Sequence, residues 1–252
     1  MPQPYSMVGM KSASDLYADA ERAALQRVKE GKALRLSPVA KVEGDEATMW
    51  LYDAIGSWFG IDPAEFAREV AALDAKVIHL RVNSPGGVVT DAEAMQTALQ
   101  QHPAKVIAHI DGWAASAATT VSLGADEIEM SDGAWWMIHN AWGVAIGGAE
   151  DMLSMADILE KMNANIAADY IRKTGASAEQ VKQWMDAETW FTAAEALEHG
   201  FADRIYKADG GDTAEKDQKK TKKSEKSASN TGEVDTARAV RARAIALAEA
   251  GY

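Results

Sequence analysis

The chain has 252 residues, of which 47% are hydrophobic and 25% charged, with a formal net charge of −12 and no cysteine. That length suffices to bury a sizeable core in one or two domains. The acidic balance argues against a general binder of nucleic acid or anionic membrane, and the lack of cysteine excludes disulfides, thiol catalysis and cysteine-bound metal.

No stretch approaches the roughly 18 apolar residues of a membrane span. The N-terminal "MPQPYSMVGM" has neither the basic start nor the apolar core of a signal peptide. The protein is therefore expected to act in the compartment where it is made, the cytoplasm.

Residues 1–45 read as a partly helical extension: "ASDLYADAERAALQRVKEGK" predicts a helix ended by Gly31, outside the main core. In "IDPAEFAREVAALDA", Asp62 is placed as N-cap, Pro63 at the first helical position and Glu65 at the third, a strong helix start. "KVIHLRVN" is short, apolar and rich in β-branched residues, as a buried parallel strand requires. It runs into "SPGG", after which Thr90 and Glu93 predict a capping box opening the helix "DAEAMQTALQQ". "KVIAHID" reads as the next strand, "GWAASAATTVSLGA" as a helix of small residues, and "DEIEM" and "AWWMI" as short strands. This alternation predicts an α/β fold with a parallel sheet and sites where strands give way to helices.

A long helix is predicted over residues 149–173, with Met152, Met155, Leu159, Met162, Ile166 and Tyr170 in one apolar stripe. Two helices follow, starting at Ser177 with Gln180 three residues on and at Thr192 with Glu195 three residues on. Residues 46–206 form the expected globular domain. Residues 207–236 are charged and of low complexity, the composition of a disordered linker. Residues 237–252 have the propensity of a short helix or tail.

Ser116 lies at a predicted helix start among alanines, where first-turn N–H groups favour developing negative charge. The plain alternative is an ordinary N-terminal helix residue. Among five histidines, His79 and His109 lie within strands, His102 in a loop, and His199 at a helix end; His139 ends an apolar strand on the site-forming edge. A serine attacking an amide creates an oxyanion that needs two convergent N–H donors. Ala117, next after the serine, offers one; Gly87, where no side chain blocks approach, offers the other. The rival reading of the glycines, a phosphate-binding turn, lacks both the P-loop lysine and a G-x-G-x-x-G pattern. No cofactor and no metal are expected.

"NSPGG", the small-residue segment carrying Ser116, "MIH" with His139, the long helix, "TGASAEQ" and "FTAAEALEHGFAD" together resemble the Clp-type serine proteases, in order and at similar spacing, from about Ala47 to Ile205. Within that family, "LYDAIGSWFGIDPAEFAREVAAL" and "MDAETWFTAAEAL" look most like the phage head-maturation branch. The resemblance implies a Clp/crotonase-like spiral of ββα units with a protruding handle helix, assembled into rings. It implies Ser116 as nucleophile, His139 as general base, Gly87 and Ala117 as oxyanion donors, and the methionine stripe as an inter-ring surface rather than core. The family has a methionine where Ala117 stands, which leaves the backbone N–H unaffected. An ungapped alignment of "TGASAEQVKQWMDAETWF" puts Trp184 where the triad acid belongs; Asp186 is preferred, with Glu188 its rival.

The resulting expectation is an ATP-independent serine endopeptidase cleaving capsid or scaffold proteins, in an infected cell or inside an immature phage capsid. Its partners are protein substrates and further copies of itself, with no nucleic acid and no membrane. The alternatives are a housekeeping Clp peptidase paired with an ATP-driven unfoldase, a crotonase-like acyl-CoA enzyme, and an inactive scaffold.

Overall fold

The computed structural model describes Arg22 and residues 40–57, 60–207 and 214–215. Its centre is a run of parallel strands: β2 (Glu46–Leu51), β3 (Val77–Ser84), β4 (Lys105–Ala115), β5 (Glu127–Ser131) and β8 (Arg204–Tyr206), hydrogen-bonded in that order. Antiparallel β1 (Ala40–Glu43) flanks β2, and antiparallel β9 (Ala214–Glu215) flanks β8. β6 (Trp135–Ile138) takes over from β5 as partner of the last residues of β4, pairing Trp113 with Trp135 and Ala115 with Met137. β7 (Thr189–Thr192) then pairs antiparallel with β6.

Alternation along β3 shows how the sheet is covered. Ile78, Leu80 and Val82 are buried, while His79 and Arg81 on the opposite face are half-buried. The buried face packs against α1 (Pro63–Ala72) through Phe66 and Val70, α2 (Val89–Gln101) through Met95 and Leu99, and α3 (Ala117–Ser122) through Val121. α4 (Ala149–Thr174), α5 (Ala178–Asp186) and α6 (Ala193–Glu198) add Tyr170, Met185 and Ala196 to the same core.

Three helix starts follow the sequence. The Asp62 carboxylate accepts from the Ala64 and Glu65 N–H groups, Ser177 accepts from Gln180 N–H, and Thr192 and Glu195 form a reciprocal capping box. The box expected at Thr90 does not form. Val88 donates its N–H to the Ile55 carbonyl and accepts from Ala92 N–H, so α2 begins at Val89 and Thr90 lies inside it.

Nor does a helix begin at Gly112. Gly112–Ala115 complete β4, because pairing with β6 overrides the helical preference of alanine, and only Ala117–Ser122 are helical. The stripe on α4 divides: Ile166 and Tyr170 are core, whereas Met152 is exposed and Met155, Leu159 and Met162 are half-buried. Of the segment expected as linker, Lys207 and Ala214–Glu215 are described, and the latter form β9. The helix expected in the N-terminal extension lies outside the described residues apart from Arg22, and the C-terminal helix or tail lies wholly outside them.

Candidate active site

β4 ends at Ala115 and α3 begins at Ala117, so Ser116 is the single residue of the corner. It stands at φ 55°, ψ −127°, a sparsely populated conformation for a residue with a Cβ. β6 delivers His139 beside it. The Ser116 N–H donates to the Met137 carbonyl at 2.9 Å, and Ser116 Oγ lies 2.7 Å from His139 Nε2. When the imidazole carries its proton on Nδ1, the serine hydroxyl donates to Nε2, the arrangement a general base needs.

The other face of the imidazole carries the correction to the expected acid. Asp186, at the end of α5, accepts from Lys182 Nζ at 2.6 Å and from Asn140 Nδ2 at 2.9 Å, and so faces those groups instead of His139. The lysine, then the asparagine, hold its carboxyl below the usual range. Glu188 is the carboxylate beside the histidine, its Oε2 lying 3.8 Å from His139 Nδ1. It follows the α5 terminus at φ 46°, a left-handed excursion that brings its side chain round to the imidazole. The His139 side chain is 11% exposed and that of Glu188 33%. Burial pushes the imidazole below its ordinary pKa, and the Glu188 charge partly offsets this.

The glycine turn closes the site from the β3 side. A Cβ on Gly86 would stand 2.5 Å from the Ala115 carbonyl oxygen and 2.8 Å from Ala117 N. A Cβ on Gly87 would stand 2.0 Å from the Ile55 oxygen. Ile55 is sewn to the turn, donating its N–H to the Gly86 carbonyl and accepting from Val88 N–H. Two glycines are thus required by close backbone approach on both sides. The Gly86 N–H turns toward Ser84 Oγ. Gly87 and Ser116 both line one cavity of about 460 Å³. Ala117, first in its helix, has its N–H in the turn that lacks intrahelical acceptors.

Apolar side chains shape that cavity. Val88 and Val89 form one wall, and Met155, Leu159 and Met162 of α4 the other, with Trp142 at the loop after His139. Ile55 and the contribution of the 141–144 loop escaped the sequence, because neither carries a chemically distinctive side chain. Among the described residues no group of three histidine, aspartate or glutamate side chains is arranged to hold a metal, and no helix is long and apolar enough to cross a membrane.

Comparison with known proteins gives a consistent picture. Residues 68–209 match the family described as Clp protease. The chain is 32% identical over 153 residues to the ATP-dependent Clp protease proteolytic subunit 1 of Leifsonia xyli, spanning 58% of this chain and 78% of that protein. It is 28% identical over 166 residues to proteolytic subunit 2 of Tropheryma whipplei, spanning 64% of this chain and 91% of that protein. The structure superposes on that of a ClpP1 mutant from Listeria monocytogenes with a TM-score of 0.57 at 23% identity, over 65% of this chain and 93% of that one. That likeness shows the expected Clp/crotonase-like fold.

Proposed function

The chain belongs to the Clp protease family, and from that premise we propose that it is the peptidase subunit of a Clp-type protease, an ATP-independent serine endopeptidase acting on unfolded protein segments. The observation that carries this reading is the 2.7 Å approach of Ser116 Oγ to His139 Nε2 inside an apolar cleft.

Ser116 Oγ attacks the carbonyl carbon of the scissile peptide bond while His139 Nε2 takes its proton. Glu188, beside Nδ1, stabilises the imidazolium that forms. The N–H groups of Gly87 and Ala117 receive the oxyanion. Collapse of the tetrahedral intermediate breaks the C–N bond, and His139 returns its proton to the leaving amine. Water, deprotonated by the same imidazole, then hydrolyses the acyl-enzyme and restores the Ser116 hydroxyl. The cleft walls favour apolar side chains next to the cleaved bond.

The similar proteins reported above are named as proteolytic subunits of ATP-dependent Clp proteases from bacteria, which favours partnership with an ATP-driven unfoldase. The expected head-maturation role finds no support in them. Assembly into a homo-oligomeric ring is part of the proposal, supported by the exposed apolar residues Val144, Ile146 and Leu153 beside the cleft wall.

The test uses purified wild type and Ser116→Ala, a fluorophosphonate probe and a fluorogenic peptide with an apolar residue before the cleaved bond. Wild type should label and hydrolyse; Ser116→Ala should do neither, a loss on the order of 10⁶-fold in kcat. Undiminished hydrolysis by Ser116→Ala would sink the mechanism. Stimulation of casein degradation by an added bacterial unfoldase with ATP separates the Clp role from capsid processing, for which the same assay with phage scaffold protein serves.

A further inference from the structure

Each polar group of Ser116 has its own partner. Its N–H is held by Met137 and its Oγ faces His139. Its carbonyl accepts twice from one residue, from Thr119 N–H at 2.9 Å and from Thr119 Oγ1 at 2.6 Å. The backbone contact belongs to any tight helix start; the hydroxyl contact is additional. With its only proton committed to that carbonyl, the Thr119 hydroxyl can serve a further neighbour only as acceptor. The neighbour is the Tyr170 hydroxyl, 2.6 Å away, which therefore donates.

Both residues are buried, Thr119 at 0% and Tyr170 at 1% exposure. Neither hydroxyl can exchange its partner for bulk water without opening the core. The Tyr170 ring is fixed edge-on against Phe201, with centroids 5.8 Å apart, a favoured arrangement of two aromatic rings. Burial raises the pKa of the phenol well above its ordinary range, so it keeps its proton and stays a donor at working pH. The end of the relay is the one residue of the corner, at a φ of 55°. Such a conformation must be imposed by its surroundings.

We infer that Thr119 and Tyr170 are positioning residues: Tyr170 Oη–H donates to Thr119 Oγ1, whose own proton binds the Ser116 carbonyl, and this relay holds the strained backbone so that Ser116 Oγ stays aimed along the line to His139 Nε2. The inference rests on the proposed role of Ser116 as nucleophile. It ties the C-terminal half of α4 to the reacting atom although Tyr170 touches no substrate.

The experiment compares full-length wild type, Thr119→Val, Thr119→Ser, Tyr170→Phe and Ser116→Ala by kcat and KM on the fluorogenic peptide and by fluorophosphonate labelling rate, with thermal melts of each. Thr119→Val should lower kcat and labelling rate together by about 10- to 100-fold with KM within about twofold, the signature of a misaimed nucleophile in an intact cleft. Thr119→Ser, which keeps the hydroxyl, should return to within about threefold of wild type, and Tyr170→Phe should lose about 3- to 10-fold. Wild-type kcat in Tyr170→Phe, or equal impairment of folded serine and valine variants, overturns the positioning role; the Tyr170→Phe measurement decides even where the valine variant fails to fold. Hydrolysis persisting in Ser116→Ala overturns the proposed function instead, so the two failures are distinct.

Discussion

Two carboxylates stand two residues apart at the end of α5, and their surroundings alone separate them. Asp186 serves Lys182 and Asn140, whereas Glu188 serves His139. Glu188→Gln is therefore expected to lower kcat by about 10²-fold or more, and Asp186→Asn by less than about threefold, since an exposed ion pair contributes little. The pH profile gives an independent reading. His139 must be neutral to accept a proton, and burial depresses its pKa. Activity should therefore persist below about pH 6.5 and fall only as pH drops through the lowered value. The Glu188 charge raises that pKa, so Glu188→Gln should move the acid limb to still lower pH. An acid limb above about 6.5, or one unmoved by the substitution, would show that another group controls the rate. The family resemblance brought the choice down to this pair and favoured the member that bonds to Lys182 and Asn140. The deciding feature is the left-handed backbone at Glu188, and no hydrophobic period or residue type encodes it.

At the scale of elements, α4 has one apolar stripe and two employments. Its C-terminal half buries Ile166 and Tyr170 in the core, and its N-terminal half presents Met155, Leu159 and Met162 to the cleft. A charge should thus have opposite consequences along one helix. Ile166→Glu should lose the cooperative melt, because an unpaired buried carboxylate costs several kcal/mol. Met155→Glu should keep its melt and raise KM for apolar peptides roughly tenfold, as one lost apolar contact of about 1–2 kcal/mol implies. Unfolding of Met155→Glu, measured by circular dichroism, would place that residue in the core instead. The 3.6-residue period in the sequence located this helix almost to its ends, yet a period reports that a face is covered and not what covers it. The helix misread at Gly112 has the same origin. Alanine and glycine there fit a helix locally, and only the distant strand Trp135–Ile138 makes Gly112–Ala115 extended. The starts of three capped helices, whose signals lie within four residues, were legible, whereas the same kind of signal at Thr90 was overridden by the backbone pairing of Val88 with Ile55.

Across the whole molecule, the two faces of the sheet differ in chemistry. The face opposite the helices carries His79 and His109, whose Nδ1 and Nε2 lie 2.9 Å apart, with Glu46 and Glu129 at the outer ends and Arg81 and Arg204 nearby. Burial pushes His109 down to about 4 and lowers His79 as well. The unfolded chain therefore takes up protons near pH 6.5 that the folded chain refuses until well below it. Between those limits the unfolded state binds more protons, so stability falls as pH falls. The loss should reach on the order of 2 kcal/mol by about pH 4.5, and His109→Gln should flatten it in denaturant titrations across about pH 4.5–7. An unchanged slope in that variant would assign the acid sensitivity elsewhere.

The divided helix also bears on motion. Between Ala149 and Asn165 no side chain of α4 is buried; beyond that point Ile166 and Tyr170 anchor it. Hydrogen exchange should record this as a gradient within a single helix. Amides before about residue 162 should exchange through local opening, and those after it only with global unfolding. One wall of the cleft would then be an element that opens independently of the core, so the width available to an incoming peptide fluctuates while Ser116 and His139 stay still. Uniform protection from end to end would mean that another surface clamps the free half. Exchange repeated across protein concentration would reveal that clamp as self-association.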